Sequence, residues 1–379
     1  MEHTPARPRE PGTFRIGQVA GVDVLVRSSW LVVAAFIAVL LAPAIDQVRP
    51  GLGGWKYVAG LAFAVLLYLS VLLHETSHAV MAKRYGLPVR SITLHFLGGA
   101  TEIEGEPDTP GHEFGVSVVG PLTSLAVGVV AFLLGRVLSG LVGFAFDALA
   151  YANLVVGVLN LVPGLPLDGG RVLRAGVWKL TGNPHRGTVV AGWGGRVAAV
   201  CALSYPFVRE AAGGVVGYSD FIFAIVVAMF LWGGATASIA SAQVRQRLPM
   251  LQARALARRT LTVPHDLPLA EAVRRAREER AGSVVVLDSS GRPTGIVNEA
   301  AVLATPEDRH PWLPVDAVAR SLERGLTMPA DLSGESLIRA MQRTPASEYL
   351  LVEGDGSIYG VLVTEDVDKA FADGGRTPS

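Results

Sequence analysis

One segment, Tyr57 to Met81, constrains this chain more than any other. It reads YVAGLAFAVLLYLSVLLHETSHAVM. As a helix it is long enough to cross a hydrocarbon layer about 30 Å thick, yet it carries two histidines and a glutamate. His74 and His78 stand at i and i+4, so both imidazoles leave one helix face toward a common point. Glu75 is placed beside them. A charged carboxylate at membrane depth costs roughly 2.5–3.5 kcal/mol even on the mild insertion scales. A helix that keeps one there is read as having a use for it. The spacing H-E-x-x-H fits two metal ligands with an adjacent general base.

The rest of the chain agrees with a membrane setting. Half of the 379 residues are hydrophobic and only 17% are charged, with a mean hydropathy of +0.40. Six apolar stretches of membrane length are expected at 29–46, 57–82, 114–136, 141–163, 187–208 and 216–240. The N-terminal residues 1–12, polar and rich in proline, are expected to form a disordered tail and not a signal peptide. Formal net charge is zero, so the total says nothing about partners, and no nucleic-acid partner is expected. The placement of charge says more. One set of loops holds Arg7, Arg9, Arg15, Arg27, Lys83, Arg84, Arg90, Arg171, Arg174, Lys179, Arg186, Arg245, Arg247, Arg254, Arg258 and Arg259. The opposite loops hold Arg49, Lys56, Arg136 and Arg209. The positive-inside rule then puts both termini in the cytosol of a multi-pass plasma-membrane protein, with the two histidines toward the cytosolic end of their span. Cys201, the lone cysteine, excludes an intrachain disulfide and is expected to be a small core residue.

Two short β-rich stretches stand apart. Val89 to Glu104 contains Gly98-Gly99 and is too short to span as a helix. A re-entrant hairpin over the histidine helix and an ordinary cytosolic hairpin both fit it. Thr13 to Val26 has the pattern of a second juxtamembrane hairpin.

Beyond about residue 242 the composition becomes that of a soluble domain, with an internal repeat. LTVPHDLPLAEAVRRAREERAGSVVVLDSSGRPTGIV from Leu261 aligns without a gap on LTMPADLSGESLIRAMQRTPASEYLLVEGDGSIYGVL from Leu326. Pro264 matches Pro329, Asp266 matches Asp331, and Gly291 and Gly295 match Gly356 and Gly360. Each unit reads as a Pro turn, a helix, a buried strand, a Gly turn, a strand and a helix. The pair resembles cystathionine-β-synthase-type (CBS) domains, which often bind adenosine nucleotides. The resemblance implies a ligand contact at Asp366, where the family carries an acidic residue, although Val363 replaces the usual threonine. Nucleotide binding and a purely dimerising role both remain open.

Two histidines make half of a tetrahedral site, and a catalytic zinc needs a third protein ligand and an open position. The best candidate is Asp168 in Asn160-Leu-Val-Pro-Gly-Leu-Pro-Leu-Asp168-Gly169-Gly170, where the fourth apolar stretch ends on the same side of the membrane. A helix cap or counter-ion to Arg171 is the rival role for Asp168, and interhelical hydrogen bonding the rival for Asn160. Together, HETSH and NLVPGLPLDGG resemble the site-2 protease family of intramembrane zinc metalloproteases, in the subgroup with a C-terminal CBS pair. The resemblance implies that His74, His78 and Asp168 bind zinc and that Glu75 is the catalytic base and later proton donor. It also implies that Asn160 contacts the substrate backbone or the tetrahedral intermediate. Gly120-Pro121 resembles the family's Gly-Pro motif, with Ser124 where many members have asparagine.

The expected fold is thus an α-helical polytopic membrane protein with a membrane-associated β-hairpin, followed by an α/β CBS pair. The expected boundaries are 13–242 for the membrane core, 243–259 for a linker and 260–375 for the CBS pair, as 260–310 and 315–372. The expected function is cleavage of a single-span transmembrane protein in regulated intramembrane proteolysis, modulated by the CBS pair, with CBS-mediated homodimers. A CBS-gated transporter or channel and a non-catalytic scaffold are the alternatives. His95 is expected to be a satisfied side chain and not a ligand. Asn153 is expected to be structural, His112 and Glu113 interfacial, and Arg136 and Arg196 snorkelling residues near span ends.

Overall fold

The computed structural model describes residues 12–96, 98–248, 251–323 and 325–372. The tail expected at 1–12 therefore lies outside the described residues except for Gly12, as do residues 373–375. Two compact units divide at Ala242 and Gln243.

The first unit opens with β1 (Thr13–Val19) and β2 (Val22–Arg27), then α1 (Ser29–Val48) and α2 (Trp55–Arg84). The strands β3 (Val89–His95) and β4 (Gly98–Ile103) follow, then α3 (Pro110–Val137) and α4 (Gly140–Asn160). Last come α5 (Asp168–Thr181), α6 (Pro184–Ala211) and α7 (Tyr218–Arg247). Among the described residues six helices are long and apolar enough to cross a membrane: α1, α2, α3, α4, α6 and α7. The 14-residue α5 is amphipathic and too short to span. It starts where the Pro- and Gly-rich loop after α4 ends, and stops at Gly182 in the left-handed region, φ +69°.

The spans pack through small residues. In α6 the buried positions are Gly187, Ala191, Gly192, Gly195, Ala199 and Pro206, which let neighbouring backbone approach closely. Cys201 falls off that stripe and is exposed on the outer surface, so the expectation of a core cysteine is corrected. Both expected hairpins form, with one addition. They join into one four-stranded sheet in the order β1-β2-β3-β4. The pairing of β2 with β3 is parallel, Val24 opposite Ile92. Val22 and Ile92 of this sheet are buried against Ala79 of α2, so the sheet is pinned to the histidine helix.

The second unit contains α8 (Ala253–Leu256), β5 (Thr260–Pro264), α9 (Leu269–Glu278), β6 (Ser283–Leu287), β7 (Pro293–Val297), α10 (Glu299–Ala304) and β8 (Ala319–Ser321). It continues with β9 (Thr327–Pro329), α11 (Gly334–Arg343), β10 (Glu348–Val352), β11 (Ile358–Val363) and α12 (Thr364–Ala372). The repeat seen in the sequence is also a repeat of register. Val263 pairs with Val286 and Val286 with Gly295. Their counterparts Met328, Leu351 and Gly360 pair in the same way. Val285 and Ile296 meet the equivalent Leu350 and Val361 in one cluster, as a pseudo-twofold interface requires. The stretch expected to be a linker begins within α7 and then joins this fold: Leu251, Ala253 and Leu256 are buried beside Leu337, Tyr349 and Leu351.

Candidate metal centre

α2 supplies His74, Glu75 and His78, all buried. α5 supplies Asp168 as its first residue, where the helix dipole favours a carboxylate. The loop leading to Asp168 is packed backbone on backbone. A Cβ at Gly169 would strike the Leu161 and Val162 carbonyls, and one at Gly170 would strike Gly164 and Leu165.

The structure brings the three expected ligands together. His74 Nε2 lies 3.2 Å from His78 Nε2 and 3.2 Å from Asp168 Oδ2, and His78 Nε2 lies 3.3 Å from Asp168 Oδ2. A tetrahedral ion with ligand bonds of about 2.0–2.1 Å sets its ligand atoms about 3.3–3.4 Å apart. The triangle therefore has the right size for zinc. Its protonation fits as well. His78 Nδ1 lies 2.6 Å from the Val116 carbonyl oxygen, which can only accept, so Nδ1 carries a proton, and in the neutral ring Nε2 then keeps a lone pair. His74 Nδ1 lies 2.8 Å from Ser124 Oγ, which can accept its proton in the same manner. With both rings neutral and protonated at Nδ1, three lone pairs converge, an arrangement that a cation satisfies.

One further helix and one strand close around this cluster. α3 passes so near that a Cβ at Gly120 would overlap His78 Nε2. β4 lies directly on Glu75, and a Cβ at Gly99 would overlap Glu75 Cγ. Thr101, two residues along, places its Oγ1 2.7 Å from Glu75 Oε2 and 3.0 Å from the Glu75 carbonyl oxygen. A cavity of ≈ 500 Å³ opens beside the cluster, lined among others by Gly99, Thr101, Asn160, Asp168 and Phe230. Asn160 thus shares the cavity with the cluster. Asn153 also lines it, but its amide donates to the Leu149 carbonyl at 2.9 Å within its own helix. His95 lies outside the metal-capable cluster, and its carbonyl oxygen accepts from Tyr68 Oη at 3.3 Å.

Three contacts escaped the sequence reading. Thr101 carries no motif signal, and Ser124 stands where a different residue was expected. Glu113, expected at the interface, is fully buried instead. Its Oε1 accepts from Arg171 Nε at 3.1 Å and Arg174 Nη1 at 3.3 Å. Arg171 is committed to Glu113 and is not the counter-ion of Asp168. The cause is packing: α3 and α5 cross where Glu113 faces inward, and two arginines on one face of α5 neutralise it. Asp366, at the start of α12, is held by a two-point pair with Arg258, Nε–Oδ2 2.6 Å and Nη2–Oδ1 3.0 Å. A separate cavity of ≈ 550 Å³ in the same unit is lined by Arg258, Arg277, Arg280, Glu299 and Glu348, with Asp366 not on its wall. Burial pushes the Glu348 carboxyl up, against the pull of Arg258 and Arg320.

Comparison with known proteins gives the family of each unit. The model of peptidase family M50 matches residues 62–147 and 139–202, and that of the CBS domain matches residues 253–307. Rip3 of Mycobacterium tuberculosis is 31% identical over 368 residues, covering 93% of this chain and 91% of its own. A Synechocystis protein, which like Rip3 carries a zinc-metalloprotease designation, is 26% identical over 381 residues, covering 94% and 95%. Among solved structures, the site-2 protease from Methanocaldococcus jannaschii aligns with a TM-score of 0.41 at 24% identity, covering 60% of this chain and 95% of that one.

Proposed function

The chain belongs to peptidase family M50, as a multi-pass zinc metalloprotease with a CBS domain, and from that premise we propose that it cleaves single-span membrane proteins within or near their transmembrane helices. The observation that carries this reading is the triangle of His74, His78 and Asp168 with edges of 3.2–3.3 Å. These three residues would hold one zinc ion. When bound, zinc supplies a water acidic enough to lose its proton near neutral pH and polarises the scissile carbonyl. Glu75 accepts that proton and returns it to the leaving amine. Thr101 holds the Glu75 carboxylate in place by donating to Oε2. Asn160 makes no side-chain hydrogen bond among the described residues, and its amide is free to hold a substrate carbonyl. β4 is one of the two edge strands of the sheet and the one beside Glu75, so an unwound substrate segment can add to it as a strand. Water reaches the cavity from the arginine-rich side, which we assign to the cytosol of the plasma membrane together with both termini.

The physiological product is a released cytosolic factor or a cleared membrane remnant. Residues 13–242 do the chemistry and the CBS pair modulates it, with dimers formed through the same pair. The cavity of ≈ 550 Å³ is of ligand size, and its three arginines suit an anion such as an adenosine nucleotide. Asp366 joins such a ligand only if Arg258 releases it.

The decisive test is the metal content of the detergent-solubilised protein. Near one zinc per chain is expected in the wild type and a large loss in Asp168→Ala with helicity intact. A well-folded wild type that takes up no zinc even after resupply overturns the assignment.

A further inference from the structure

Arg196 sits midway along the 28-residue α6, not near a span end. Its neighbour fixes its depth. Gly195 packs so closely on the loop before α5 that a Cβ there would strike the Leu165 carbonyl oxygen. The Leu165 N–H also donates to the Ala191 carbonyl at 2.9 Å. Arg196 is therefore level with the loop that runs into Asp168. α7 at this level is a wall of the catalytic cavity: Phe230 lines it and Gly234 abuts Pro166.

A guanidinium at such depth needs partners from protein. Arg196 Cζ lies 4.6 Å from the Trp193 ring centroid and 5.2 Å from that of Trp232. Its Nη2 donates to Thr236 Oγ1 at 3.4 Å, a long contact, and Nε is buried without a partner. No carboxylate pairs with it among the described residues. Indole faces stabilise the cation but accept no conventional hydrogen bond, so the edge of the guanidinium stays short of acceptors. Trp193 and Trp232 are 56% and 48% exposed, so the cluster opens toward lipid and not into the bundle.

We propose that Arg196, Trp193 and Trp232 form a lipid-facing docking site for a transmembrane helix that carries an Asp, Glu, Asn or Gln side chain at this depth. The proposal rests on the endopeptidase reading and names the class of substrate helix that the enzyme selects. Both partners gain, because an acceptor on an isolated helix is as poorly placed in hydrocarbon as the arginine. Outside the metal-capable cluster, a second copy of the chain offers no exposed, unpaired carboxylate at this depth among the described residues. Asp46, Asp147 and Asp220 lie near span ends, paired with Lys56, Arg136 and Arg209, and Glu75 and Glu113 are buried.

The test uses the Glu75→Gln protein in phosphatidylcholine proteoliposomes with dye-labelled Leu/Ala transmembrane peptides. These carry Asp, Asn or Leu at the depth of Arg196, and association is read by energy transfer. Asp and Asn peptides are expected to bind about ten-fold more tightly than the Leu peptide, and Arg196→Leu is expected to abolish the difference. Equal binding of all three peptides overturns the proposal, as does a preference that survives in Arg196→Leu. An Arg196-dependent signal that comes only from added phosphatidylglycerol, or only from association between copies of the protein, also overturns it. The peptide series needs no change at Arg196, so a misfolded variant cannot decide the matter. Failure here leaves zinc content untouched, whereas failure of the protease reading shows in zinc content.

Discussion

Ser124 illustrates how a single hydroxyl can set the chemistry of a metal-capable histidine. His74 can present a lone pair at Nε2 only if Nδ1 keeps its proton, and Ser124 Oγ, 2.8 Å away, is placed to accept it. His78 has a main-chain carbonyl for the same purpose, which mutation cannot remove. The two histidines should therefore respond differently. Ser124→Ala is expected to weaken zinc binding about 10–100-fold with little change in melting temperature, read by competition with a chelator. Unchanged affinity would mean that water or another group can hold the proton. The HExxH spacing and the Asp168 motif were legible because helical geometry and metal chemistry restrict both residue type and interval. Ser124 and Thr101 were not legible in this role, because what matters about them is a distance across elements.

At the scale of elements, the position of Asp168 depends on how α5 is held. This short helix is tied to α3 by Glu113 with Arg171 and Arg174, and Arg174 also pairs with Glu106 at 2.8 Å. Removing one member of a buried pair leaves an uncompensated charge, at about 3–5 kcal/mol. Arg171 is a third exposed, which lowers that cost. Glu113→Gln is expected to destabilise the membrane unit by about 2–3 kcal/mol and to weaken zinc retention with it. A variant that keeps both its melting temperature and its zinc would show that the loop packing at Gly169 and Gly170 alone holds α5. The six spans were legible from hydropathy. The joining of two hairpins into one sheet was not, since β2 and β3 are separated by two whole spans and their parallel pairing leaves no local signal.

Across the whole molecule, the metal-capable cluster and the CBS fold fall in different units. If the second unit takes an anionic nucleotide, the three arginines around its cavity are the means. AMP or ATP titrated into the full-length protein by calorimetry is expected to bind, and the double change Arg277→Ala and Arg280→Ala to weaken binding about ten-fold. Binding unaffected by those changes would move the site away from this cavity. The repeat itself was fully visible in the sequence, because a gapless offset preserves the period of buried strands. The pair between Arg258 and Asp366 was not, since Arg258 precedes the first repeat and Asp366 ends the second.

The sequence alone determined the membrane setting, the number of spans, the doubled C-terminal unit and the residues able to bind metal. Each follows from local rules: hydrocarbon thickness, helical and strand periodicity, and the few side chains that coordinate zinc. Only the tertiary structure decided the rest. It set three donor atoms at one spacing, laid β4 on Glu75, drew Glu113 inward and put Arg196 level with the loop before Asp168. Those outcomes depend on which faces of distant elements meet, and contact across elements is fixed by packing, for which no local period exists.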